Sequence, residues 1–104
     1  MNRYRVVVTA TARAHVQAVV RWCADNDRGV PETFLDELDA AVARIGELPL
    51  SGHLYQLSPV DGVYRVLLRR SGYHVYDTVD EDAGDVIVRA VWYAARGSGP
   101  TLGE

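Results

Sequence analysis

Arginine, histidine and tyrosine recur in the second half of the chain at spacings that suit one face of a β-sheet. Side chains alternate along a strand, so Arg65, Leu67 and Arg69 would share one side of a strand over 63–70. The arginine guanidinium presents a fork of donors that matches a phosphate group, but it cannot act as a base. The pattern predicts a surface that can hold phosphate.

The same alternation in two later strands would add His74, Tyr76, Arg89 and Tyr93 to this face, with Arg70 and Arg96 near its margins. Aromatic rings and histidine can stack on unpaired bases, which makes single-stranded RNA a candidate ligand. If RNA were cut there, a proton would have to move, and His74 and Tyr93 are the candidates by residue type. The side chains predicted to face the helices instead are Tyr64, Val66, Leu68, Tyr73, Val75, Val86, Val88, Ala90 and Trp92.

Simpler interpretations stand beside this one. Arginines on a solvent-facing strand commonly pair with acids, here such as Asp77, Asp85 or Glu81. We interpret the remaining candidates as structural: His15 on a helix surface, His53 in a loop, Cys23 in the core, and Trp22 and Trp92 in the core or an interface. One cysteine and three scattered histidines give no metal-ligand spacing, so we expect neither a metal nor a cofactor.

The first half of the chain is predicted to supply a strand and two helices. Arg3–Val8 alternates at first and then becomes continuously β-branched, which predicts a strand. Thr9 or Thr11 could cap a helix whose apolar stripe begins at Ala12. The segment 25–29 is rich in turn residues, and Pro31 suits the first turn of a second helix. Gly46 and Pro49 are expected to end that helix. Its apolar stripe consists of Phe34, Leu38, Ala41, Val42, Ile45 and Leu48.

The second half is predicted to form a three-strand antiparallel meander over 63–70, 73–80 and 85–93, with turns at 70–72 and 80–84. Two short amphipathic helices in an antiparallel hairpin need a sheet to cover them. The sequence therefore predicts an α+β fold with its helices packed on one face of the sheet. We expect one domain over 1–96 and a mobile tail over 97–104.

Composition limits the function classes. The 104 residues are 48% hydrophobic and 24% charged, as in ordinary globular domains. All eleven basic residues are arginine, yet the net charge is −3, so no overall basic field attracts nucleic acid. The chain has no long apolar run and no apolar signal-peptide core at its start, which predicts a cytoplasmic protein without a membrane partner.

Several strings together resemble the RelE/ParE superfamily of type II toxin–antitoxin toxins. They are 4–8, the helix pattern with Phe34 and Leu38, the segment 48–52, the run 64–76 and the ending 91–97. The resemblance implies a small growth-arresting toxin that a co-expressed antitoxin neutralises. We expect an acidic or amphipathic antitoxin segment to cover the arginine-bearing face or the helical hairpin. An exposed edge at the first or last strand would also leave room for oligomers.

The resemblance leaves the target open between two activities and an inactive form. RelE-like members cleave mRNA on the ribosome, which would make Arg65, Arg69, His74 and Tyr93 the catalytic set. ParE-like members inhibit DNA gyrase and need no nuclease residues. Binding of RNA or of another target would use Arg65, Arg69, Arg70, Tyr76, Arg89 and Arg96. The chain has no lysine, which several nuclease members use, and it has Tyr93 where many have histidine. This favours the gyrase inhibitor, with an inactive antitoxin-binding homologue as a third hypothesis.

Overall fold

The computed structural model describes residues 4–25, 32–56, 58, 61–94 and 100. Two helices and five strands form the α+β fold that the sequence predicts. In chain order they are β1 (Arg5–Val8), α1 (Ala10–Asp25), α2 (Glu32–Glu47), β2 (His53–Leu54), β3 (Tyr64–Leu68), β4 (Tyr73–Asp80) and β5 (Asp85–Tyr93). The predicted turn with Pro31, residue Arg96 and the tail from 97, apart from Pro100, lie outside the described residues.

The sheet is mixed, with the strand order β1-β5-β4-β3-β2. The meander β3-β4-β5 is antiparallel as predicted, while β1 pairs in parallel with the first half of β5, from Asp85 to Val88. The prediction of a sheet edge at the first or last strand is confirmed for β1, which with β2 is an outer strand. The first half of β5 is covered by β1 and offers no edge. β2 was not predicted, because two residues carry no readable alternation.

α1 begins and α2 ends beside β1. The Thr9 hydroxyl accepts the Ala12 N–H at 3.1 Å and caps α1, which starts two residues before the predicted stripe. The Gly46 carbonyl accepts the Tyr4 N–H at 2.9 Å near the end of α2. α2 ends at Glu47, one residue after the predicted Gly46. Gly46 is itself a buried helical residue and not a left-handed cap, and a Cβ there would lie only 3.0 Å from Val6. Glycine here permits close packing of helix on strand.

The main core lies between the two helices and one face of the sheet. Its buried members are Ala12 and Val19 of α1, Phe34, Ala41 and Ile45 of α2, and Leu68, Val75, Val86, Val88 and Val91 of the sheet. α1 begins beside Val88 and reaches the end of β5 at Trp22. α2 begins there, where Phe34 contacts Tyr73 with ring centres 5.0 Å apart, and ends beside Tyr4, so the two helices run in opposite directions across the sheet. Neither described helix is long and apolar enough to cross a membrane.

Candidate functional site

A β-bulge in β5 decides which side chains reach the open face of the sheet. Asp77 of β4 pairs with Val88, but the preceding residue, Tyr76, pairs with Ala90, so Arg89 is an extra residue in β5. One inserted residue reverses the alternation of faces beyond it. The predicted faces of Ala90, Trp92 and Tyr93 are therefore wrong.

The open face beyond the bulge carries a compact set of aromatic and basic side chains, here called the open-face patch: Tyr55, Arg65, His74, Tyr76 and Trp92. Arg65 pairs across the strands with Tyr76, and His74 lies between Leu67 and Trp92 in the next row. The Arg65 guanidinium carbon is 5.0 Å from the centre of the Tyr55 ring, which is 5.1 Å from the Tyr76 ring. The prediction that Arg65, His74 and Tyr76 share this face is confirmed.

Burial and Arg65 set the protonation states within the open-face patch. Burial lowers the pKa of His74, and the positive charge of Arg65 lowers it further, so its imidazole is neutral at neutral pH. Burial raises the pKa of Tyr76 against an opposing hydrogen bond from Arg65. The patch thus presents one permanent cation, a neutral histidine and a protonated phenol. These groups can bind an anion or a carbonyl and can stack on a planar group.

Tyr93 lies on the helix-facing side, away from the open-face patch. It pairs across strands with Tyr73, and the two ring centres are 5.1 Å apart. With Trp22 and Phe34 it lines a groove of about 890 Å³ between the end of α1, the start of α2 and the end of β5. Its side of the sheet was mispredicted because the alternation was extended through Arg89 without the bulge.

Arg69 and Arg70 lie in the turn between β3 and β4, which α2 holds in place. The Glu37 carboxylate accepts the backbone N–H groups of Arg70 and Ser71, each at 2.8 Å. Burial acts to raise the pKa of Glu37, but these hydrogen bonds outweigh it and lower that pKa. Arg69 is exposed, whereas Arg70 lines the groove that contains Tyr93. The prediction that Arg70 borders the open face is therefore corrected.

Arg89 belongs to the other end of the open face. Its Nε donates to the Thr78 hydroxyl at 3.1 Å, and it lines a hollow of about 560 Å³. Four acids line the same hollow: Asp61, Asp80, Glu81 and Asp82. The open face is therefore basic and aromatic at one end and acidic at the other.

One of the three acids predicted to pair with open-face arginines binds a different arginine. Asp85 binds Arg5 of β1 through two oxygens, each 2.9 Å from a guanidinium nitrogen. Asp77 is buried on the helix-facing side and pairs with none of the described arginines. Among the residues that the structure describes, no group of three histidine, cysteine or acidic side chains is placed to hold a metal ion.

The family model for the ParE toxin of the type II toxin–antitoxin system parDE matches residues 6–97. The chain belongs to the ParE toxin family. No curated protein sequence matches it closely enough to count as a relative.

Three solved structures with RelE or RelBE in their names have the same fold as this ParE-family chain. The RelBE2 toxin–antitoxin complex of Mycobacterium tuberculosis matches with 20% identity and a TM-score of 0.65, covering 92% of this chain and 97% of that one. The isolated Escherichia coli RelE toxin matches with 21% identity and a TM-score of 0.62, covering 91% and 88%. The intact Escherichia coli RelBE toxin–antitoxin complex matches with 21% identity and a TM-score of 0.61, covering 89% of this chain and 99% of that one. At these identities the likeness establishes the fold alone.

Two aromatic members of the open-face patch in this ParE-family chain were missed by sequence reasoning. Trp92 was placed inward because Val86, Val88, Ala90 and Trp92 alternate without a break in the sequence. Tyr55 follows a strand too short to predict, and only the tertiary fold brings it against Arg65. His53, expected in a loop, pairs with Arg65 as part of that strand.

Proposed function

We propose that this ParE-family toxin arrests growth by binding and inhibiting DNA gyrase, without cutting RNA. The observation that carries the proposal is the separation of the expected nuclease residues. Arg65 and His74 lie on the open face, whereas Tyr93 lies on the helix-facing side against Tyr73. A proton-transferring pair must reach the same substrate, and opposite faces of a sheet do not allow this.

The charge of the open face supports a protein target over a nucleic acid. Nucleic-acid surfaces bind through several cations that follow the phosphate backbone. Here the open-face patch has a single arginine, and the far end of the same face has the four acids around Arg89. An RNA strand that followed the face would meet those acids. A cation among aromatic rings, beside the exposed Leu67, is instead typical of the centre of a protein–protein interface.

Ribosome-dependent mRNA cleavage is the second candidate, and the pairing of His74 with Arg65 favours it. In that mechanism the neutral His74 imidazole would accept the proton of a ribose 2′-hydroxyl, while Arg65 would stabilise the phosphate as charge develops. Arg69 would add a further phosphate contact from the turn after β3. The roles of all four residues, Tyr93 included, remain predictions.

A cognate antitoxin is the expected partner in the cytoplasm. The solved RelBE2 and RelBE structures are toxin–antitoxin complexes. We propose that an antitoxin segment with acidic residues covers the open-face patch, where it would neutralise Arg65 and block the target. Affinity for such a segment should weaken as salt screens the arginine.

The deciding experiment compares the two targets in one culture. The chain is expressed alone under tight control, and RNA 5′ ends and chromosomal breaks are mapped when growth stops. Purified protein is then added to a gyrase supercoiling assay. Gyrase inhibition with intact mRNA supports the proposal; new cleavage sites confined to translated codons would replace it with the nuclease. Normal growth with neither lesion would indicate an inactive antitoxin-binding homologue.

Matched variants sharpen that comparison. Arg65 lies in the open-face patch that either target would contact, so Arg65→Ala should reduce toxicity under both hypotheses. Tyr93→Ala separates them: if Tyr93 is catalytic, this change should abolish toxicity. Under gyrase inhibition, Tyr93→Ala alone should leave toxicity largely intact. Arg13→Ala on the exposed surface of α1 is the control for loss of a positive charge.

A further inference from the structure

On the side where β1 pairs with the first half of β5, the second half of β5 has no neighbouring strand among the described residues, and a side chain of α1 binds its backbone instead. Pairing between β1 and β5 ends at Val88, whose carbonyl accepts both the backbone N–H and the hydroxyl of Thr9, each at 3.1 Å. The chain then turns into α1. A strand-edge amide beyond this point needs another acceptor.

His15 supplies that acceptor from α1. Its Nδ1 atom accepts the backbone N–H of Val91 at 3.2 Å. An imidazole nitrogen accepts a hydrogen bond only when it carries no proton, so the neutral ring must carry its proton on Nε2. One side chain therefore fixes both the protonation pattern of the ring and the position of the β5 edge.

The same ring also contacts the open-face patch. The His15 and Trp92 ring centres are 5.2 Å apart at 63°, an edge-to-face arrangement. Trp92 is the cross-strand neighbour of His74 and packs against the buried residues of the open face. His15 is thus bound to the backbone at Val91 and to the ring of the next residue.

We infer that His15 is a positioning residue, which acts through Trp92 to set the aromatic wall of the open-face patch. For its effect on the target, this inference rests on the proposed function. His15 contacts Trp92 but is not itself a member of the open-face patch. It acts by fixing the backbone and ring at the end of β5, after the bulge has turned Trp92 to the open face.

Two substitutions separate the hydrogen bond from simple packing. His15→Asn places an acceptor oxygen at about the position of Nδ1, whereas His15→Phe keeps a ring but removes the acceptor. Both are made in the full chain with and without Trp22→Phe, so that Trp92 can be the only tryptophan. The readouts are the exchange rate of the Val91 amide, the acrylamide quenching of Trp92, and target inhibition per folded molecule.

We expect His15→Phe to speed Val91 exchange at least 10-fold and to raise the quenching of Trp92, with His15→Asn restoring both toward wild type. Nitrogen NMR of the wild type should show a proton on Nε2 and none on Nδ1. Unchanged exchange and quenching in folded His15→Phe would overturn the inference, as would a proton on Nδ1.

The activity measurement separates this inference from the proposed function. If the two local signals change and gyrase inhibition falls at least 10-fold in His15→Phe but recovers in His15→Asn, both stand. If the local signals change while Trp92→Ala leaves inhibition at the wild-type level, His15 still positions Trp92, but the patch is not the target site. Inhibition that merely follows thermal stability across all the variants would overturn the positioning role.

Discussion

Asp77 and Val88 face each other across β4 and β5 on the side of the sheet that the helices cover. The Asp77 side chain is 1% exposed, and neither of its oxygens has a hydrogen-bond partner among the described residues. Its neighbours in the sheet are Val75 and Val79 along its own strand and Tyr64 across from it. A carboxyl group in such surroundings is much less costly to bury when neutral.

The first prediction is that Asp77 makes the protein less stable as pH rises. Burial raises the pKa of Asp77 to about 7 from an ordinary value of 3.8. The folded chain therefore keeps a proton that the unfolded chain releases, so stability is lost between pH 4 and pH 7 and is level above that. The loss is at most about 4 kcal/mol.

Urea unfolding at several pH values, compared with Asp77→Asn, measures this effect. The difference in unfolding free energy should favour Asn increasingly up to pH 7 and then stay constant. Taking the difference removes the opposite contribution of carboxyls with lowered pKa, such as Glu37 and Asp85. Asp61→Asn on the exposed loop is the control. A difference that does not change with pH would contradict the prediction.

The second prediction concerns Gly46. Gly46→Ala improves helix propensity by about 1 kcal/mol, but the added Cβ would lie 3.0 Å from Val6 Cγ2 and 3.3 Å from the Tyr4 carbonyl oxygen. Overpacking at such distances costs about 1–3 kcal/mol, so a net loss of stability is expected. Thermal unfolding measures it, and Val6→Ala in the same chain should recover part of the loss. If the stability losses of Gly46→Ala and Val6→Ala simply added in the double variant, Val6 would not be the residue that the new Cβ meets.

The third prediction is that Glu37 holds the turn between β3 and β4. Glu37→Ala removes the acceptor of two backbone N–H groups and should lower the unfolding free energy by about 1–3 kcal/mol. Asp36→Ala, on the exposed side of the same helix, is the matched control. Amide exchange at Arg70 and Ser71 should rise in the first variant and not in the second. If both variants lowered the unfolding free energy equally, the loss would come from the charge removed from the helix and not from the two hydrogen bonds.

The fourth prediction follows from the bulge at Arg89. Trp92→Ala should weaken target inhibition at least 10-fold, whereas Tyr93→Phe should leave it unchanged, because only Trp92 lies on the open face. Inhibition is measured as the toxin concentration that halves gyrase supercoiling, with folding checked by circular dichroism. Trp92 and Tyr93 both border the groove beside α1 and α2, so Trp22→Ala, which changes that groove, is the control. A loss of inhibition in Trp22→Ala as large as in Trp92→Ala would place the target in the groove.

The order of elements and part of the site follow from the sequence by itself. Apolar residues every three or four positions specify α2, and β-branched runs separated by glycine turns specify the meander. Arg65, His74 and Tyr76 could be placed on one face because β3 and β4 pair without a bulge, so simple alternation holds from one strand to the next.

Only the tertiary structure decided the end of β5 and the partners of β1. The alternation of Val86, Val88, Ala90 and Trp92 reads the same with or without a bulge, since small and aromatic residues fit either face. The bulge follows from pairing with β4, and the parallel contact of Arg5 with Asp85 joins residues 80 positions apart. Such long-range pairing depends on how the two helices fill the space above the sheet. The local order of residue types does not contain this geometry. A prediction from alternation alone therefore placed Trp92 and Tyr93 on the wrong faces.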